Sequence, residues 1–235
     1  MPRSKTKIIV FMVMLAVLLS LGFGVYSNLK GMGRAGYWES EIRRYEESDR
    51  AAPPEPGVIV FTGSSSIRLW RTLAQDMAPL TVVNRGFGGA QIDQVSHFAS
   101  RIILPYRPRA VVLYAGIDDL LFGRSPEEVL HEFQDFVALI HAALPETQIY
   151  FVSIKPTRLF ASRWTEMKRA NGLIEEFVRT QARVQYIDVS AALLDAKGNA
   201  RPEFLRWDGL HPSRKGYEVM TSIIKPVLMR FLNND

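Results

Sequence analysis

Residues 58–70 read VIVFTGSSSIRLW. An apolar, β-branched run, Val58 to Phe61, leads into a glycine, three serines and an apparent helix start, the pattern of a buried strand that turns into a helix. Polar triplets at such turns either cap the helix or place a reactive hydroxyl at the strand end.

Four further runs of the same kind follow: LTVVN at 80–84, AVVLYA at 110–115, QIYFVSI at 148–154 and VQYIDV at 184–189. Each is short enough for a buried strand. Helical faces alternate with them: Ile92, Val95, Phe98 and Ile102; Val129, Phe133, Phe136 and Ile140; Trp164, Met167, Ile174 and Phe177; and Tyr217, Met220, Ile224, Val227 and Phe231. Strand and helix alternating this way predict an α/β fold whose five-stranded, mostly parallel sheet is covered on both faces, a three-layer α/β/α sandwich. In such sheets reactive groups collect beyond the carboxyl ends of the strands. GSSS, NRGFGG (84–89), AGIDD (115–119) and WDGLHPS (207–213) all fall in turns predicted for that rim.

Composition narrows the possibilities. The chain has 235 residues and no cysteine, which excludes disulfides, thiolate metal sites, a cysteine nucleophile and a lipid anchor on cysteine. Arg3, Lys5 and Lys7 precede an uncharged run of 19 residues, Ile8 to Tyr26. Without those three the 29 basic residues become 26, against 24 acidic ones, so the folded part carries no basic excess of the kind that nucleic-acid binding uses. The run is close to the roughly 20 residues needed to cross a bilayer. It reads as a membrane segment, an uncleaved N-terminal transmembrane anchor being favoured over a cleaved signal peptide, and the tighter basic cluster on its N-terminal side places the main domain outside the cytoplasm. The predicted organisation is a basic tail at 1–7, a transmembrane anchor at 8–26, a helical leader with the proline-rich linker AAPPEPG at 27–55, and a catalytic domain at 56–235.

A serine needs a base, and a histidine held by a carboxylate is the usual one. His97, His131 and His141 fall within helical patterns and read as surface residues. His211 lies in a rim turn, three residues after Asp208, with Gly209 between them to allow a tight turn. Asp208 could instead cap the last helix.

With these blocks in hand, the chain resembles the SGNH, or GDSL-type, hydrolases, over roughly residues 56–232. The resemblance implies a flavodoxin-like α/β/α domain and a serine esterase in which Ser65 is the nucleophile and Asp208 and His211 complete the triad. It further implies an oxyanion hole formed by the backbone of Ser65, by Gly89 with Gly88 as the neighbouring alternative, and by the third block. Ser64 and Ser66 read as helix-capping residues.

The third block departs from the family pattern. Gly116, Ile117, Asp118 and Asp119 put Asp118 where the resemblance expects an asparagine that donates to the oxyanion. An ionised carboxylate has no proton to donate. Losing one donor costs roughly 100- to 1000-fold in rate, and repulsion between unit charges near ~4 Å adds up to about 4 kcal/mol at an effective dielectric of about 20. Asp118 is therefore either ionised and inhibitory or protonated and donating; Asp119 is expected to fix the loop through backbone hydrogen bonds.

Lys155, Arg158 and Arg163 follow the fourth strand and read as a solvated loop, with contact to an anionic substrate as the other reading; Trp70 and Trp207 both read as ordinary packing, Trp207 being the better candidate of the two for a pocket wall. The acidic pair has no histidine cluster beside it, so neither a metal nor a cofactor is expected. The expected partners are a small-molecule or saccharide ester, with a short acyl group because no lid insertion separates the blocks, and the membrane through residues 8–26. A fold that has lost turnover and only binds esters or glycans, and an acyltransferase acting on an envelope saccharide, are the other readings.

Overall fold

The computed structural model describes residues 31–233. The basic tail and the membrane segment at 8–26 lie outside the described residues, and among the described residues no helix is long and apolar enough to cross a membrane. The chain divides into two compact units, one ending at Glu39 and one starting at Ser40. The described part of the first holds a short 3-10 turn at Ala35–Trp38.

The second unit is built on five strands: β1 (Ile59–Gly63), β2 (Val82–Gly86), β3 (Ala110–Tyr114), β4 (Gln148–Val152) and β5 (Val184–Ile187). They pair in the order β2-β1-β3-β4-β5, every neighbour parallel, with Ile59 opposite Val82 on one side and Ala110 on the other. β1, β3 and β4 are buried along their whole lengths, which is why they read as unbroken apolar runs rather than alternating ones.

Right-handed crossovers decide which helices share a face. The step from β1 to β2 runs one way along the sheet, and the steps to β3, β4 and β5 run the other. Accordingly α4 (Ile92–Ile102), α6 (Pro126–Ala143) and α7 (Trp164–Val178) pack side by side on one face, while α3 (Leu73–Met77) meets α8 (Arg214–Asn233) on the other. α6 starts where its sequence dictates: Ser125 accepts from the Glu128 N–H at 3.2 Å, Glu128 accepts from the Ser125 N–H at 2.7 Å, and Pro126 takes the first helical position. The buried stripes of α4 and α6 are the expected ones. On α8 the seam runs through Tyr217, Met220, Ile224 and Leu228. Leu228 stands one full turn after Ile224, so Val227 and Phe231, expected in the core, are rotated to its flank and half-exposed. Trp164 and Phe177 of α7 are likewise only part-buried.

The expected domain boundary at residue 56 is too late, because the compact unit already begins at Ser40 and takes in α1 (Glu39–Ala51). α1 is charged almost throughout, which made it read as a helical leader, but several of its charges are matched within the domain. Glu46 forms a two-pronged ion pair with Arg101 at 2.7 Å on each prong, Asp49 accepts from both Arg85 and Tyr106, and Tyr45 donates to the Gly86 carbonyl. Ile42, fully buried, supplies the apolar contact. Ile42→Ala should lower the unfolding free energy by about 2–5 kcal/mol in urea denaturation, whereas Glu47→Ala, exposed on the same helix, should stay within about 0.5 kcal/mol. Small effects from both would show that α1 stands outside the cooperative unit.

Candidate active site

The strand order reverses between β1 and β3, and the crevice beyond their carboxyl ends is where an open α/β sheet holds ligands. Gly63 closes β1 with φ of +118°, and a Cβ there would lie 1.9 Å from the Tyr114 carbonyl oxygen. Only glycine fits. The Ser64 N–H donates to that same oxygen at 2.9 Å, after which Ser65 opens the short helix α2 (Ser65–Arg68). As the first helical residue, Ser65 keeps a backbone N–H with no intrahelical acceptor. Ser64 occupies the N-cap position without a side-chain capping bond, and Ser66 is buried with its carbonyl accepting from Tyr217 at 2.8 Å.

The middle serine alone meets a histidine: Ser65 Oγ lies 2.8 Å from His211 Nε2. His211 Nδ1 lies 2.8 Å from Asp208 Oδ2, and the other oxygen of Asp208 accepts from the N–H groups of Leu210 and His211 at 2.8 and 2.9 Å. Burial opposes ionisation of Asp208, but the hydrogen bonds from the His211 ring and these two amides outweigh it and hold the carboxyl down at about 2. A carboxylate fixed this way orients the imidazole with Nε2 toward the serine. The 208–211 turn is itself clamped from outside. The Arg158 and Leu159 N–H groups donate to the Gly209 carbonyl at 2.8 and 3.1 Å, and Lys155 Nζ donates to the Leu210 carbonyl.

The second block follows β2. The Phe87 N–H donates to the Gly63 carbonyl at 2.9 Å, and the Asn84 side chain bridges the Ile67 carbonyl and the Gly86 N–H at 2.6 and 3.0 Å, drawing this loop against α2. Of the two candidate glycines, Gly89 has φ of +69°, while the space beside Gly88 is taken by the Arg68 guanidinium. In the third block, on α5 (Ile117–Leu121), Asp119 is fully buried and accepts from the Ile92 N–H and the Gly116 N–H, both at 2.8 Å, so one carboxylate ties the second block to the third. Asp118 beside it is pushed up to about 6 by burial, against the pull of Lys155.

Several expectations change here. Lys155, read as part of a solvated loop, is 1% exposed at the end of β4, and burial pushes its amine down to about 7 against the opposing effect of Asp208 and Asp118. The signal was present in the sequence, since it follows QIYFVSI without a break. Arg163 is not free in solvent either: it donates to the Leu120 carbonyl at 2.6 Å and pairs with Glu166. Arg158 is exposed. Trp207, read as packing with a pocket wall as the alternative, is neither: it is 97% exposed, and the residues of the turn that face inward are Asp208 and His211. Trp70 is packing, stacked on Tyr217 with its Nε1–H on Asp76. His97 and His131 are exposed and His141 contacts the Thr147 carbonyl, so none of them reaches the rim. Glu132, which sequence reading overlooked, lies against Asp119, and burial together with that neighbour pushes its carboxyl up to about 8.

The description GDSL-like lipase/acylhydrolase family matches residues 35–219 of the chain. A bovine relative, platelet-activating factor acetylhydrolase IB subunit alpha1 of Bos taurus, is 25% identical over 219 residues, covering 88% of each chain. Among solved structures, a GDSL-like lipase from Bacteroides thetaiotaomicron superposes with a TM-score of 0.70 at 19% identity, covering 80% of this chain and 97% of that one. A carbohydrate esterase family 3 protein from Talaromyces cellulolyticus superposes with a TM-score of 0.61 at 22% identity, covering 76% and 99%.

Two outcomes test this geometry. Ser65→Ala should abolish labelling by a fluorophosphonate, whereas Ser64→Ala and Ser66→Ala should retain it; label mapped to Ser64 or Ser66 would contradict the relay. The second concerns Glu132 and Asp119, whose raised values mean that the folded protein holds their protons more tightly than the unfolded chain does. That stabilisation is complete at low pH and is lost as pH rises through the raised values. The melting temperature should therefore fall between about pH 5 and about pH 8, and fall less in Glu132→Gln, which keeps a donor toward Asp119 but cannot ionise. Equal slopes would remove the pair as the cause.

Proposed function

The chain belongs to the GDSL-like lipase/acylhydrolase family, and we propose that it is a serine esterase that cleaves short-chain carboxylic esters, acetyl groups on saccharides among them, through an acyl-serine intermediate. The observation that carries this reading is the unbroken relay from Ser65 Oγ through the His211 ring to Asp208, with 2.8 Å at both links.

In the first half-reaction Ser65 Oγ attacks the ester carbonyl carbon while His211 Nε2 takes its proton. Asp208 holds Nδ1–H and stabilises the imidazolium. The carbonyl oxygen becomes an oxyanion that accepts from the backbone N–H groups of Ser65 and Gly89, with Asp118 at the third position. As the tetrahedral intermediate collapses, the carbon–oxygen bond to the alcohol breaks and His211 delivers its proton to the departing oxygen. Water then attacks the acyl-serine, His211 takes a proton from it, and the acid leaves as that proton returns to Ser65.

The preference for short acyl groups is supported by the close spacing of the blocks, with no inserted lid between them, and the name of the bovine relative describes removal of an acetyl group. The same acyl-serine could be resolved by a sugar hydroxyl in place of water. Residues 8–26 would anchor the protein in a membrane with this domain outside the cytoplasm.

Purified protein should turn over p-nitrophenyl acetate and butyrate faster than octanoate and palmitate, and Ser65→Ala should reduce every rate to background. A preference for palmitate would overturn the short-acyl reading. No turnover of any ester by a protein that still takes the fluorophosphonate would favour a binding role.

A further inference from the structure

Beyond the carboxyl ends of the strands the protein leaves large apolar side chains in water: Trp207 is 97% exposed, Leu159 56% and Phe122 37%. They belong to three rim segments that are tied to one another. Arg158 and Leu159 donate their N–H groups to the Gly209 carbonyl, two residues after Trp207, and Arg163 donates to the Leu120 carbonyl, two residues before Phe122. Arg158 and Arg206 are exposed in the same segments. Neither the packing of the domain nor the relay uses the Trp207 ring.

The chain also enters the domain at this rim. Ser40 starts the compact unit, and Glu41 pairs at 3.2 Å with Arg68 of α2, the helix that Ser65 opens. The other end of α1 carries Asp49, which accepts from Tyr106 ahead of β3, so α1 runs from the rim toward the amino ends of the strands. Residues 27–39 alone separate Ser40 from the uncharged run at 8–26, and those thirteen residues reach at most about 45 Å. Tryptophan beside arginine suits headgroup depth, where the apolar body of the ring leaves water and the guanidinium meets anionic lipid.

We propose that this rim is a docking surface for an anionic lipid bilayer, with Trp207 and Leu159 entering the headgroup layer and Arg158 and Arg206 meeting its negative charge. The active site then opens on the membrane, and its substrates are esters presented at the bilayer surface. The docking rests on the membrane reading of residues 8–26, and its consequence for the substrate on the esterase reading.

The test uses the full chain, which has no cysteine, so Leu159→Cys takes a single nitrobenzoxadiazole fluorophore; Ala182→Cys, exposed just before β5, takes the same label at the opposite end of the sheet. Both are reconstituted into vesicles of phosphatidylcholine with and without phosphatidylglycerol. With phosphatidylglycerol, the label at 159 should brighten several-fold and shift to the blue, while that at 182 keeps its emission in water. An unchanged label at 159, an equal response at both positions, or the same response without phosphatidylglycerol overturns the proposal. So does a response at 159 that follows protein concentration at fixed lipid, which would assign the patch to a second copy of the chain. A chain that resists an alkaline carbonate wash with 159 still in water keeps the anchor and loses the docking rim; one washed off after 159 was shielded keeps the rim and loses the anchor. On hexadecyl acetate held in anionic vesicles, Trp207→Ser/Leu159→Ser should lose about tenfold or more in rate, the factor expected from taking one large apolar side chain out of water, and should stay level on p-nitrophenyl acetate. No loss on the first ester, or an equal loss on both, counts against docking. A shielded label at 159 in a protein inactive on every ester would remove the esterase reading and leave the docking surface.

Discussion

The active rim depends on how closely the end of β1 approaches β3. With no side chain at Gly63, the Tyr114 carbonyl can lie where a Cβ would otherwise be, and the Ser64 N–H closes the contact. That contact fixes the direction in which α2 leaves the sheet and hence the direction of Ser65 Oγ. It also draws the loop after β3, with Asp118 and Asp119, to the same point. Any larger residue at 63 would move the nucleophile away from a histidine contributed from the far end of the chain, and a shift of about 1 Å is enough to lose a productive geometry.

Around this contact the protein concentrates buried and part-buried ionisable groups. Asp118, Asp119, Glu132 and Lys155 all have their charged forms disfavoured by burial. Such groups are tolerated when paired or hydrogen-bonded, and three of them have a defined partner: two backbone amides for Asp119, the Arg124 guanidinium for Glu132, and a carbonyl for Lys155. The polar network braces three loops that have no sheet hydrogen bonds of their own.

Much of this was legible in the sequence. Each of the five apolar runs holds a strand; β1, β3 and β4 read most clearly because a strand buried on both faces has to be apolar throughout, whereas β2, at an edge and part-exposed, runs two residues past its apolar stretch into Arg85 and Gly86. The stripes of α4 and α6 could be read for the related reason that one face of each meets the sheet. The serine, aspartate and histidine were legible because the chemistry admits few residue types and the turns that hold them carry glycines. What failed were readings that equated polar composition with solvent: α1 was taken for a leader although its charges are paired within the domain, and Lys155 for a loop residue although it is buried. Trp207 failed in the opposite sense, an aromatic side chain taken for packing that turns outward.

The sequence by itself determined the order of strands and helices, the family blocks and the candidates Ser65, Asp208 and His211, since these follow from local periodicity and from the few side chains capable of the chemistry. Tertiary structure decided which serine of the triplet meets His211, which carboxylate of the third block is satisfied by backbone amides, and that Lys155 is enclosed with its amine on the Leu210 carbonyl. Those are relations between residues far apart in the chain. They depend on through-space distance and on the desolvation that enclosure imposes, and neither quantity is written in local sequence.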